Sequence, residues 1–258
     1  MRIKIVWLVI GAALLSLRPD SARALNFFEL EAYPATTEGA GLHEIESRTT
    51  FVANGRNADE THRLLRTSLE YDYGLTDRID VAAYLDLQKP NGEELEYAAS
   101  RFRIRGALWD KGRFPVDLGW YFEAEVPHHQ ESDLEFEFRP LVSRDLGRFS
   151  IDLNPTFELP TVGEERRTVE FNYSARVYYR LSRTLQPALE FFGDIGQIRD
   201  VESSQAQQHY VFPSLYGEVV RGLKFALGPG FGLTQASDQV IVKFVVEYEF
   251  TPETLLRQ

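Results

Sequence analysis

The stretch VEFNYSARVYYRL, residues 169–181, decides the fold, because its side chains alternate between two kinds along the chain. The odd-numbered positions, from Val169 to Leu181, are apolar or aromatic, whereas most even-numbered positions are polar, as at Glu170 and Arg176. Successive side chains of a β-strand point to opposite faces of its sheet, so a period of two is typical of a strand. The stretch therefore predicts a strand with one apolar and one ionised face.

The same alternation recurs in about twelve segments of the chain. They lie near 44–54, 61–73, 78–88, 95–109, 114–126, 133–145, 148–159, 168–181, 185–196, 208–220, 223–234 and 239–250. Short turns, such as 74–77 and 145–148, alternate strictly with longer polar connections. An even strand number with this alternation is typical of bacterial outer-membrane barrels. We therefore predict an all-β fold, a transmembrane up-and-down antiparallel β-barrel spanning residues 44–250.

A period-two sheet also suits a soluble periplasmic barrel with an apolar core. Which of the two faces points outward therefore needs a separate argument. Aromatic side chains gather near both ends of the predicted strands. Those near the short turns are Tyr71, Tyr73, Trp109, Phe114, Phe149 and Phe250, and those near the long loops are Phe51, Phe136, Phe157, Phe171, Tyr210 and Phe231. Because two aromatic belts mark the boundaries of a bilayer, we expect the apolar face to contact lipid and the ionised face to line the lumen.

The first 24 residues have the three regions of a secretory signal. Arg2 and Lys4 precede an apolar run over residues 5–17, and small residues at Ala22 and Ala24 suit cleavage after Ala24. We predict a signal peptide over residues 1–24, an N-terminal lead or plug over residues 25–43 and a periplasmic tail over residues 251–258. The absence of cysteine excludes disulfides and lipidation on a cysteine.

The chain is acidic, with a net charge of −11, and loss of the signal peptide makes it more acidic still. Nucleic-acid binding depends on Lys and Arg, so we expect no nucleic-acid partner. We also expect no cofactor, no bound metal and no catalytic residue. The predicted partners are outer-membrane lipid, small polar solutes and the barrel-assembly machinery.

A set of charged side chains falls on the face predicted to line the lumen. It comprises Arg101, Arg103, Arg105, Asp117, Glu123, Glu125, Glu135, Glu137, Arg139, Arg176 and Arg180. Arg101, Arg103 and Arg105 form a ladder on one strand, and we expect the carboxylates of the following strand (Asp117, Glu123 and Glu125) to pair with it. Such a ladder is typical of a channel constriction, and the excess of acids favours cations or polar solutes. The alternative is a set of structural salt bridges that fills a narrow barrel.

Four histidines (His62, His128, His129 and His209) fall at the long-loop ends of predicted strands. An esterase needs a serine near a histidine, and Ser132, Ser203 and Ser204 lie in the same loops. An outer-membrane lipid hydrolase with its site at this rim is therefore the second hypothesis. It requires His128 or His129 within hydrogen-bond reach of a serine.

The turn YGLTDRIDV, residues 73–81, resembles the hairpins of outer-membrane transporters grouped as the MetA-pathway phenol-degradation family. The turns at 144–149 and 180–185 are weaker versions of the same pattern. The resemblance implies an envelope location and a transport role, and it carries no catalytic residues. Such barrels often end on an aromatic residue, whereas Phe250 is followed here by residues 251–258. Phe250 is expected to complete the signal for barrel assembly.

Overall fold

A computed structural model describes residues 25–56, 61–128, 134–161 and 168–255. Within these ranges, twelve antiparallel strands form one closed barrel, because each strand pairs with its neighbours in sequence and β1 pairs with β12. The strands are β1 (His43–Asn54), β2 (Leu65–Thr76), β3 (Ile79–Lys89), β4 (Glu96–Ala107), β5 (Asp117–Pro127), β6 (Glu135–Leu146), β7 (Phe149–Pro160), β8 (Glu170–Tyr179), β9 (Gln186–Gln197), β10 (Gln208–Val220), β11 (Leu223–Gly232) and β12 (Val240–Phe250). A short helix, α1 (Pro252–Leu255), follows. The predicted fold is confirmed.

Strands β2 and β5 begin later than predicted, because a turn precedes each of them. β2 begins four residues later than predicted, because residues 61–63 form a turn that ends on Arg63 with a φ of 59°. β5 begins at Asp117, after a connection that is longer than the β3–β4 loop, so the strict alternation of short and long connections fails there. Gly112 makes this turn with a φ of 79° and donates its N–H to the Asp117 carboxylate at 2.7 Å.

The predicted direction of the two faces is confirmed. On β8, Val177 is 37% exposed, whereas Arg176 and Glu170 are 8% and 5% exposed. The same division holds on the other strands, where large apolar side chains cover the outside of the barrel. A soluble barrel with an apolar core is therefore excluded, because its apolar face would be the buried one. The described residues include no helix long and apolar enough to cross a membrane.

The outward face offers a direct test of lipid contact. Phe102 lies in the middle of β4 and is 59% exposed. Phe102→Arg is expected to lower the free energy of unfolding by about 2–4 kcal/mol, because a charge near the bilayer midplane loses its hydration. Urea titration of the protein folded into lipid vesicles measures this, with Phe102→Leu as the matched control. Equal stability of the two variants would contradict lipid contact at this position.

Residues 25–42, which we call the lumen segment, run along the inside of the barrel. The N–H of Leu25 donates to Gln208 at the long-loop end of β10 (3.3 Å). At the other end, the N–H of Gly41 donates to the carbonyl of Gly74 near the short turn between β2 and β3 (2.8 Å). The segment therefore spans the height of the lumen.

Candidate channel lumen

Arg101 is the centre of a buried charge network, and its side chain is fully buried. Its guanidinium donates to Asp86 at 2.7 Å, to Glu29 of the lumen segment at 2.9 Å and to Glu123 at 3.3 Å. It also donates to Ser68 Oγ and lies 4.2 Å from the centre of the Tyr84 ring. Three carboxylates around one guanidinium hold the lumen segment against β3, β4 and β5.

Arg103 and Arg105 point into the lumen beside Arg101, because alternate residues of β4 share one face. Arg103 pairs with Glu70 at 3.0 Å and with Asp72, both on β2. Arg105 forms a fork with Asp80 of β3, in which its Nη2 lies 2.7 Å from Oδ2. Together with the contacts of Arg101, the predicted ladder is therefore an array of ion pairs that joins four strands, β2 to β5.

The acidic partners of this ladder differ from the prediction. Of the three carboxylates expected from β5, Glu123 contacts Arg101, whereas Asp117 accepts the N–H of Gly112 and Glu125 is half-buried in register with Arg101. Most partners come instead from β2, β3 and the lumen segment. The sequence pattern could have identified these partners, because it places four acidic residues on the inward face of β2 and β3: Glu70, Asp72, Asp80 and Asp86.

The remaining predicted lumen residues divide into two groups. Arg139 pairs with Glu137 at 2.6 Å and with Glu29 at 3.3 Å, and Arg176 pairs with Asp152 at 2.9 Å. These pairs line the lumen. Glu135 begins β6 in register with Glu125, at the long-loop end. Arg180 lies beyond β8 at the short-turn rim, where it pairs with Asp145 at 2.9 Å, so it is not a lumen residue.

Glu29 links two of these groups, because it lies between Arg101 and Arg139. Its carboxylate lies 2.9 Å from the Arg101 guanidinium and 3.3 Å from that of Arg139, so cations flank it on two sides. The Glu29 carboxylate also accepts the Tyr121 hydroxyl at 2.8 Å. The lumen segment is thus held by an ionised side chain.

Further contacts fasten the lumen segment to most of the barrel wall. The N–H of Tyr33 donates to Asn154 of β7 at 2.7 Å, and the N–H of Ala35 donates to Ser143 of β6 at 2.8 Å. Lys243 of β12 donates to the carbonyl of Leu30 at 2.9 Å. The segment therefore crosses the interior and does not lie along one strand.

The two halves of the lumen differ in chemistry. The long-loop half is filled by an apolar cluster, in which lumen-segment side chains pack against the wall. Its members are Leu25, Phe27, Leu30, Val52, Leu64, Phe192, Tyr210, Phe212 and Ile241. The short-turn half contains a cavity of about 250 Å³ lined by charged side chains that include Glu38, Glu44, Arg103, Lys224 and Glu247.

The three described rim histidines (His62, His128 and His209) each have different neighbours. The ring of His209 bonds to the Tyr173 hydroxyl at 3.0 Å and to Gln207 at 3.1 Å. His128 packs edge-to-face on Tyr97, with the ring centres 4.9 Å apart, and His62 lies in the turn before β2. His129 and Ser132 lie outside the described residues. The His209 ring is thus held by a tyrosine and a glutamine and not by a serine.

Comparison with known proteins gives the same architecture. No family model matches the sequence, and no curated protein matches it. Among solved structures, the chain is similar to the KdgM porin, with a TM-score of 0.56 and 9% identity over 80% of this chain and 99% of that one. It is also similar to the COG4313 outer membrane channel from Pseudomonas putida F1, with a TM-score of 0.59 and 10% identity over 86% and 100% of the two chains. The NanC porin has a TM-score of 0.56 and 6% identity over 81% and 98%.

These likenesses establish that the chain has the fold of outer-membrane porins and channels. The resemblance of its turns to the MetA-pathway family stays a prediction, because no family model supports it.

Proposed function

We propose that this protein is a channel of the bacterial outer membrane for small polar or cationic solutes. The observation that carries the proposal is the closed barrel with an apolar outer face and an ionised lumen. Only closed barrels and helices satisfy their backbone groups in lipid, and an ionised lumen suits passage of polar solutes. Lipid contact with the exposed apolar side chains follows from the same arrangement.

The balance of charge supports a preference for cations. Among the buried ionisable side chains of the described residues, sixteen are acidic and seven are basic. Several of the acidic ones meet near the short-turn mouth, where Lys224 lies 2.6 Å from Glu247 and 3.8 Å from Glu44. A ring of carboxylates raises the local concentration of cations at the mouth of a pore.

The lumen segment has the position of a plug. It fills the long-loop half of the barrel, and its ion pairs to Arg101 and Arg139 would have to break before it could leave. We therefore assign residues 25–42 to gating, and the Arg101, Arg103 and Arg105 ladder to both holding the plug and setting selectivity.

Two more specific parts of the proposal, the kind of transport and the role of Phe250, rest on the sequence together with the barrel fold. The turn pattern at residues 73–81 supports a transport role of the kind found in the MetA-pathway family. Phe250 ends β12 and packs at 5.9 Å from Tyr248, which supports its role in recognition by the barrel-assembly machinery. The ring of His209 bonds to Tyr173 and Gln207, which gives no support to the lipid-hydrolase hypothesis at this histidine.

Ion selectivity in planar bilayers tests the proposal. In a gradient of KCl, we expect a reversal potential that shows a preference for K⁺ over Cl⁻. Glu44→Gln with Glu247→Gln is expected to reduce that preference severalfold, because both carboxylates lie at the short-turn mouth. Glu94→Gln, in the exposed β3–β4 loop, is the matched control. Anion preference, or no conductance after removal of the lumen segment, would contradict the proposed function.

A further inference from the structure

The N-terminal end of the lumen segment lies among polar side chains of the barrel wall. The N–H of Leu25 donates to Gln208 Oε1 at 3.3 Å. Gln208 of β10 is directly opposite Asp194 of β9, and Asp194 is directly opposite Asn172 of β8. All three side chains belong to the inward face of their strands. They form a row across three neighbouring strands, which we call the acceptor row (Asn172, Asp194 and Gln208).

Two carboxylates at this end of the lumen are buried without a cation. Asp194 is 6% exposed and accepts the N–H of Gly196 at 2.7 Å. Glu158 of β7 is 9% exposed and accepts an N–H of the Asn172 amide at 2.7 Å. In the part of the chain that the structure describes, neither carboxylate forms an ion pair. Because a buried carboxylate without a cation is costly, a positive charge here stabilises the fold.

Leu25 and Glu158 line the same small cavity, which has a volume of about 30 Å³. Asn172 lines it too, and the buried Oδ1 atom of Asn172 accepts no hydrogen bond from the described residues. The other charged side chains of its wall are already in ion pairs: Glu29, Glu31, Glu137 and Arg139. The nitrogen of Leu25 therefore shares one small space with an unused acceptor and an unpaired carboxylate.

The backbone of Leu25 is fixed in this position by its neighbours. The Leu25 side chain is 7% exposed and belongs to the apolar cluster of the long-loop half. The side chain of Asn26 accepts the N–H of Phe28 at 3.0 Å, which makes a turn. Phe27 packs edge-to-face on Tyr210, with ring centres 6.0 Å apart. The nitrogen of residue 25 is therefore held at the acceptor row.

The predicted cleavage after Ala24 changes the chemistry of this nitrogen. Hydrolysis adds one water across the Ala24–Leu25 peptide bond. The new carboxyl group of Ala24 gives up its proton, and the new amine of Leu25 takes one up, because an α-amino group is mostly protonated at neutral pH. The Leu25 nitrogen then has three N–H groups and a positive charge, where the peptide had one N–H and no charge. One N–H keeps the bond to Gln208, and two are available to the neighbouring acceptors.

We propose that the α-ammonium group of Leu25, produced by cleavage after Ala24, is the counter-ion of Asp194 and Glu158. Removal of the signal peptide then locks the lumen segment in the barrel, because the uncleaved chain has an uncharged amide at this position. This role depends on the predicted cleavage site and not on conduction, so its test is separate from that of the channel proposed above.

Intact-protein mass spectrometry of the protein purified from outer membranes tests the cleavage site. The expected mass is that of residues 25–258 with a free amine at Leu25. A chain that starts at any other residue overturns the proposal, because the charge would then lie elsewhere.

Leu25→Gln allows the charge to be removed without a change in chain length. An N-terminal glutamine cyclises to pyroglutamate when its amine attacks its own side-chain amide and releases ammonia. The product keeps one N–H and loses the positive charge. Glutaminyl cyclase is applied before refolding into lipid vesicles, and urea unfolding is measured on the cyclised and uncyclised forms. We expect cyclisation to raise the equilibrium constant for unfolding about tenfold.

Variants of the wall show whether the lost charge acts on the two carboxylates. With Asp194→Asn and Glu158→Gln together, cyclisation is expected to leave the unfolding equilibrium unchanged, because no carboxylate remains to pair. If that double variant does not fold, Asp194→Asn alone is used and is expected to reduce the effect. Asp145→Asn, at the short-turn rim, is the matched control and is expected to keep the full effect of cyclisation.

Each comparison is made between two forms of the same variant, so a general loss of stability in a variant does not affect it. The proposal is overturned if cyclisation leaves the stability of Leu25→Gln unchanged. It is also overturned if cyclisation has the same effect with and without the carboxylates of Asp194 and Glu158.

Discussion

Arg101→Met is expected to lower the free energy of unfolding by about 3–5 kcal/mol, because it leaves buried carboxylates without their cation. Glu29, Asp86 and Glu123 all point at this one guanidinium, and all three are buried. Methionine matches much of the volume of arginine, so the loss comes from charge and not from a cavity. Urea unfolding in lipid vesicles, followed by the fluorescence of Trp109 and Trp120, measures the change.

Arg180→Ala is the matched control for Arg101. Its ion pair with Asp145 lies at the rim, where about a third of each side chain is exposed. Exposed pairs contribute at most about 1 kcal/mol, so this variant should unfold close to the wild type. A small effect of Arg101→Met, similar to that of Arg180→Ala, would show that the lumen network contributes little to stability.

Deletion of residues 25–36 is expected to raise single-channel conductance severalfold. The deletion removes the side chains that fill the long-loop half of the lumen, and with them the contacts of Glu29 to Arg101 and Arg139. The closed ladder of twelve strands does not include these residues, so the barrel itself should still fold. Planar-bilayer recording gives the conductance, and a heat-modifiable band on gels shows that the barrel is folded.

A reversible staple provides the control in the full-length protein. The N–H of Ala35 lies 2.8 Å from Ser143 Oγ, so Ala35→Cys with Ser143→Cys brings two thiols together in a chain that has no other cysteine. The oxidised form should keep low conductance under all voltages, and reduction should restore wild-type behaviour. If the deletion leaves the conductance of a folded barrel unchanged, residues 25–42 are not the plug.

Much of the fold was predictable because it depends on short-range rules. The alternation in residues 169–181 depends only on the pleat of a strand, which sends successive side chains to opposite faces. The inward position of Arg101, Arg103 and Arg105 follows from the same rule. The apolar outer face was predictable as well, because aromatic belts at both strand ends reflect the two boundaries of a bilayer.

The partners of the lumen charges were decided by the tertiary structure. The period-two pattern predicts which face of a strand a side chain occupies. Strand register and the closure of the barrel determine which charged side chains meet in the lumen. Arg103 of β4 reaches Asp72 of β2, past the strand between them, because an arginine side chain is long enough to cross one strand spacing. The prediction assumed pairing with the next strand in sequence and therefore missed most of the acidic partners.

By itself, the sequence determined twelve two-faced strands, the turns that join them and the ionised interior, since these features depend on neighbours a few residues away. Only the tertiary structure decided the path of residues 25–42, which have no strand periodicity and bind residues as distant in sequence as Asn154 from Tyr33. Such contacts depend on where distant segments meet once the barrel closes, and no local pattern carries that information.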